Sequence, residues 1–128
     1  VSRIATQVGN AFVGDPLVYG VPGNAEFLYF GSGTGLFLRT AVGEAPTQRS
    51  TLASNIIDVA ADPATPTRLF AMTATTVHLS TNSAQSFSDV TGNLQTLSPG
   101  QLRTMAFVSR AGGQLLVVGT DRGAFAAP

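Results

Sequence analysis

Hydrophobic residues in this chain come in short runs, and no long stripe repeats at the 3.6-residue spacing of a helix. EFLYFG (Glu26 to Gly31), TRLFAM (Thr67 to Met72) and QLLVVG (Gln114 to Gly119) sit between clusters of glycine, proline, serine and threonine. Runs of this length between turn residues predict β-strands. Extending each run to LYFGSGTGLF (Leu28 to Phe37), LFAMTATTVH (Leu69 to His78) and LVVGTDRGAF (Leu116 to Phe125) makes the three superimpose. Each reads as a strand, a connector starting near Gly31, Met72 or Gly119, and a second strand.

The repeat has a period. Gly35, Thr76 and Gly123 are equivalent positions, separated by 41 and then 47 residues. A further apolar run precedes each hairpin: LVYGV (Leu17 to Val21), IIDVAA (Ile56 to Ala61) and TMAFV (Thr104 to Val108). An outer strand follows the first two hairpins, at Gln48 to Leu52 and Phe87 to Thr91, whereas the third stops at Pro128 before one forms. At the other end, IATQVGN (Ile4 to Asn10) matches FSDVTGN (Phe87 to Asn93) with the Gly-Asn pair in register.

Four-stranded units at this spacing predict an all-β chain of about three antiparallel β-propeller blades. Residues 1–10 supply an outer strand that closes the last blade, 11–53 form blade 1, 54–98 blade 2, and 99–128 blade 3 without its own outer strand. Closure removes unpaired strand edges, and three blades do not readily close alone. Two organisations follow. Either two copies complete a six-bladed ring, each N-terminal strand finishing the other's last blade, or the stretch belongs to a longer propeller. The start at Val1 instead of Met reads as a processed or excised form.

Charge narrows the possible partners. Seven basic and seven acidic residues cancel, and neither sign forms a run, so the footprint of a nucleic-acid binder is missing. No segment approaches the ~20 apolar residues of a membrane helix, so no membrane insertion is expected. The absence of cysteine excludes disulfides and thiol chemistry, and one histidine gives no metal set; no cofactor is predicted.

The most legible stretch is LSTNSAQSF, Leu79 to Phe87. Ser80, Asn82, Ser86 and Phe87 fit the pattern S-x-D-x-G-x-T-W with Asn for Asp, Ser for Thr and Phe for Trp, while Ala84 replaces the glycine. The chain thus resembles the Asp-box (BNR-like) repeat propellers, a superfamily of sialidases, xyloglucanases, sortilin-like receptors and photosystem assembly factors, in a degenerate copy. The resemblance implies a stabilising hairpin, relaxed at Ala84, with Phe87 under the neighbouring blade. It also leans toward a secreted or periplasmic setting.

That superfamily mixes enzymes and binding proteins, so activity has to come from residues. A sialidase site needs three converging arginines with a Tyr and Glu pair, but Arg3, Arg39, Arg49, Arg68, Arg103, Arg110 and Arg122 occupy unrelated positions. Asp15 and Asp62 precede prolines and read as turn formers. Asp58, in an inner strand, is the acid placed to line a central channel, either as a functional carboxylate or as a solvated, hydrogen-bonded one. His78 aligns with Phe37 and Phe125 and reads as packed between blades, a satisfied or partly buried imidazole in preference to a metal ligand or general base. GSGTG (Gly31 to Gly35) precedes a strand, not a helix, and is a turn instead of a phosphate cradle.

Ligands of propellers usually meet the face carrying the loops between second and third strands. Ser32, Thr34, Thr73, Thr75, Asp121 and Arg122, with linkers 11–15 and 95–100, form that candidate rim. Asp121 and Arg122 make its charged tip, available to a carboxylate or sugar hydroxyl or else paired with each other. No catalytic residue is assigned. The favoured function is a non-enzymatic scaffold or binding module for a protein or carbohydrate ligand. The alternative is a fragment of a sialidase-like or xyloglucanase-like glycosidase.

Overall fold

The computed structural model describes residues 16–127, so the expected closing strand at 1–10 and linker 11–15 lie outside the described residues. Eleven strands form three antiparallel sheets in chain order. The first holds β1 (Leu17–Val21), β2 (Asn24–Ser32), β3 (Gly35–Arg39) and β4 (Thr47–Thr51). The second holds β5 (Asp58–Ala61), β6 (Leu69–Met72), β7 (Val77–Ser80) and β8 (Ser88–Asp89). The third has three strands, β9 (Leu102–Arg110), β10 (Gly113–Thr120) and β11 (Gly123–Ala127).

Strand bounds differ from expectation where backbone pairing stops short of the apolar pattern. Ile56 and Ile57 precede β5, and Ile56 is buried in the connector between sheets. The outer strand expected over 87–91 narrows to the two residues of β8. The linker 95–100 contains part of a 3-10 turn, Leu94–Leu97, whose Leu94 anchors it in the core.

The sheets stack face to face, with β5 beside both β1 and β9. Alternation along each strand gives every sheet two packing faces. Phe27, Tyr29, Leu36 and Leu38 of the first sheet meet Val59, Leu69 and Ala71 of the second. On its other face the second sheet presents Ala60, Phe70, Met72 and Val77 to Met105 and Val118 of the third. Equivalent positions do equivalent work: Leu69 faces backward and Phe70 forward, as Leu116 faces backward in the third sheet and Tyr29 forward in the first.

Polar contacts fix the first junction. Tyr29 is fully buried, and its hydroxyl donates to the Phe70 carbonyl at 3.0 Å. The Ser50 hydroxyl donates to the Ala84 carbonyl at 2.6 Å. A Cβ on Gly31 would lie 2.6 Å from Ile56 Cγ2, so only glycine lets the connector close on the first sheet.

The hairpin at LSTNSAQSF is fully built. Ser80 Oγ accepts the Ala84 amide at 3.0 Å, and Asn82 Oδ1 accepts the Ser86 amide at 3.0 Å. Asn82 Nδ2 donates to Ser86 Oγ at 2.7 Å. The relaxation expected at Ala84 does not occur: φ is +67° there and +59° at Ser83. Ala84 is held in the left-handed region because its methyl is wholly buried against the first sheet and its amide is captured by Ser80. Phe87 packs, half-buried, against the same cluster.

Candidate functional site

Backbone hydrogen bonds define one rim of the molecule. The β2–β3 turn accepts the Leu52 and Ile56 amides through Thr34 and Gly33, and the β6–β7 turn accepts the Leu102 amide through Ala74. The β10–β11 turn joins them when the Asp121 amide donates to the Gln101 carbonyl. The turns between second and third strands therefore lie with the connectors between sheets, on the side where the sequence placed a ligand face. Gln95 Nε2 adds a bond to the Thr75 carbonyl.

Several expected rim residues turn inward instead. Thr73 is buried, with its hydroxyl 2.7 Å from that of Thr76 and accepting the Thr76 amide at 3.0 Å. Thr76 Oγ1 lies 2.9 Å from His78 Nε2, so the half-buried imidazole is hydrogen-bonded into the turn network. Ser32 is also buried, and its hydroxyl has no hydrogen-bond partner among the described residues. Thr34, Thr75, Asp121 and Arg122 remain exposed.

The charged tip is built differently from its sequence reading. Asp121 Oδ1 pairs with Arg103 Nε at 2.7 Å, and Oδ2 accepts the Gln101 amide at 3.1 Å. These two bonds, Arg103 first, hold the Asp121 carboxyl below its ordinary pKa, with Arg122 adding a small favourable field. Arg122 contributes its backbone amide to Thr120 Oγ1 at 3.1 Å. The sequence carries no sign of Arg103 as this partner, because it lies 18 residues from Asp121 and the β9–β10 pairing brings them together.

Asp58 is a clamp between sheets. Its Oδ2 accepts the Thr104 hydroxyl at 3.1 Å and the Met105 amide at 2.7 Å, while Oδ1 accepts the Val59 amide at 2.9 Å. Asp58 and Asp121 thus bond consecutive parts of one strand, β9, through different partners.

A second region lies between the second and third sheets, where a cleft of about 480 Å³ opens. Arg68, Phe70, Phe107, Gln114 and Leu116 line it. The Arg68 guanidinium stands 5.5 Å from the Phe70 ring centroid and 5.9 Å from that of Phe107. It donates to Gln114 Oε1 at 3.2 Å and pairs with Asp62 Oδ2 at 3.6 Å. Asp62 therefore does more than form a turn: 1 % exposed, it ties the β5–β6 loop to Arg68 and Gln114. A smaller cavity of about 130 Å³, lined by Val77, Leu94, Val118 and Phe125, opens along the same junction.

Among the described residues no group of three metal-ligating side chains converges, and no helix is long and apolar enough to cross a membrane. No protein-family model, curated protein or solved structure matches the chain. What the fold defines by itself is a class: an all-β chain of three antiparallel sheets packed in sequence order, with turns and connectors gathered on one rim.

Proposed function

We propose that this chain is a non-enzymatic β-propeller scaffold or binding module, acting as half of a six-bladed ring and offering its rim to a protein or glycan. The observation that carries the reading is the repetition of one junction. The first sheet meets the second, and the second meets the third, through equivalent faces. Propagating that junction asks for a further sheet at each end. At the end of the third sheet Val108 is exposed by 39 %, with Leu115 and Val117 half-buried beside it, whereas Leu28, Phe30 and Phe37 on the outer face of the first sheet are buried within one chain and only Leu17 at its margin is exposed. An exposed apolar end face such as that of the third sheet favours association. The hydrogen-bonded Ser80, Asn82 and Ser86 hairpin agrees with the Asp-box resemblance.

The glycosidase alternative lacks a comparable support, because Asp58 is engaged with Thr104 and Met105. Absolute mass by light scattering, over a range of concentrations, tests the ring. Twice the 13.1 kDa chain mass is expected. A monomer throughout would replace the half-ring with a portion of a longer propeller. Glycan hydrolysis abolished by Asp58→Asn would replace the binding module with an enzyme.

A further inference from the structure

The junction between the first and second sheets is filled by apolar side chains, with Phe27, Tyr29 and Leu38 in one cluster with Leu69 and with Phe87 packed against it. Applying the repeat, Phe27 corresponds to Arg68 in the second sheet and to Leu115 in the third. An arginine thus stands where both counterparts are apolar, and it lines the cleft between the second and third sheets. At about 480 Å³ that cleft is far larger than a packing defect and lies within the ~300–1,000 Å³ of ligand sites.

The Arg68 guanidinium is held in place from several sides. Its Nη1 donates to Gln114 Oε1 at 3.2 Å and meets Asp62 Oδ2 at 3.6 Å. The Phe70 and Phe107 rings, their centroids 5.7 Å apart, stand 5.5 and 5.9 Å from its Cζ. The loop leading to it is closed by the Asp62 amide on the Arg68 carbonyl at 3.0 Å and the Arg68 amide on the Thr65 carbonyl at 2.8 Å. Its position is therefore set before any ligand arrives, which spares the ordering cost of binding. The edge formed by Nε and Nη2 donates to no other described residue, and the side chain keeps 37 % of its surface exposed. Two parallel N–H donors on such an edge match the two oxygens of a carboxylate. Asp62 approaches at Nη1, and its Oδ1 is engaged by the Ala64 amide at 2.9 Å, so the native acid leaves that edge open.

We propose that this cleft binds a small organic acid, its carboxylate on the Nε and Nη2 edge of Arg68 and its apolar body against Leu79, Val90, Phe107 and Leu116. The pairing of one anchored cation with apolar walls selects an amphipathic anion. A sugar would leave most of its hydroxyls facing these side chains without partners. The β9–β10 turn at Gly112 and Gly113 also lines the cleft, at the opposite end of β10 from the rim turn at Asp121 and Arg122. The site therefore lies within one chain, apart from the rim, and does not depend on the ring.

Octanoate and octanamide, which share an apolar body and differ in charge, test the site on the full chain by calorimetry and amide NMR. Octanoate is expected to bind once per chain, roughly tenfold or more tighter than octanamide, the worth of one charge-assisted hydrogen bond. It should shift the Gly112 and Gly113 amide resonances and leave that of Gly33, in the rim turn between β2 and β3, unmoved. Arg68→Gln is expected to bring octanoate down to the affinity of octanamide and leave octanamide unchanged. No saturable octanoate binding, equal affinities in the parent chain, shifts at Gly33 in place of Gly112 and Gly113, or undiminished octanoate binding by Arg68→Gln would each overturn the proposal. Should that variant fail to fold, Val90→Trp changes a lining residue that is 42 % exposed. Its indole is expected to block octanoate with strand content retained, and binding that persists overturns the site. A monomer by light scattering that binds octanoate would remove the ring and leave this site, whereas a dimer that does not bind it would remove the site and leave the ring.

Discussion

The two junctions between sheets use equivalent positions and reach different states. At the first, Tyr29, Leu36, Leu38 and Leu69 are almost wholly buried, and the Ala84 to Phe87 turn seals the outer end. At the second, the inner end is tight, with Met72 and Leu102 buried and Asp58 clamping β9, but the outer end opens into the cleft beside Arg68. Among the described residues the difference is one outer strand, present in the second sheet and not in the third. A junction between these sheets is therefore made of two separable parts, an inner zipper formed by the sheets and an outer plug supplied by the turn and strand that follow.

Leucine truncation probes this difference with the largest expected effect. Leu69→Ala empties a fully enclosed position and is expected to destabilise by ~3–4 kcal/mol in denaturant titration. Leu116→Ala removes the equivalent side chain where it is only half-buried beside the cleft, and less than half that loss is expected. Equal losses would mean that the second junction is as well filled as the first.

Phe87→Ala removes the plug itself. Full burial of a phenylalanine would put the cost near 3–5 kcal/mol, and its half-burial reduces the expected loss to ~2 kcal/mol. A change within error of zero would detach Phe87 from the junction.

Much of this was legible in the sequence and some was not. The strands followed from short apolar runs between turn residues, and β1 occupies the expected run Leu17 to Val21. The repeat also placed the turns on one rim, because its spacing encodes which connections are equivalent. Side-chain partners were not legible. Arg103 to Asp121 and Arg68 to Asp62 depend on strand register and loop path, and Asp62 beside Pro63 gave no sign of burial. Ala84 misled in the opposite direction. Propensity argues against a left-handed alanine, but tertiary burial overrides it. The turns do lie beside the connectors, but their side-chain partners were not legible: Thr73 bonds within its own turn, and Asp121 pairs with Arg103.

The buried hydroxyl of Tyr29 makes the first junction sensitive to alkali. Burial raises its pKa far above the ordinary value near 10, so the fold holds the neutral phenol. In the unfolded chain the phenol ionises near pH 10; below that pH the contribution to stability is complete, and above it stability falls as pH rises. The expected slope from this group is ~1.4 kcal/mol per pH unit. Tyr29→Phe lacks the titration but also the bond to the Phe70 carbonyl, a cost of ~1 kcal/mol at neutral pH. The two stability curves should therefore converge about one unit above pH 10. Parallel curves would place the hydroxyl in water, and the junction would be looser than described.

The smallest effect is expected at Ala84, where two terms oppose each other. Glycine relieves a left-handed alanine of ~1 kcal/mol. It also removes a buried methyl, worth ~0.8 kcal/mol, and adds ~0.5 kcal/mol or more of unfolded-state freedom. Ala84→Gly should therefore fall within about 0.5 kcal/mol of the parent. Ala71→Gly supplies the control, because Ala71 is equally buried in the same cluster but lies in strand β6 without a positive φ. There both losses stand without the relief, and the difference between the two variants, ~1 kcal/mol, measures the backbone strain alone. Equal losses would mean that Ala84 is not left-handed, which would open the Ser80 to Ser86 hairpin and release the plug from the first junction.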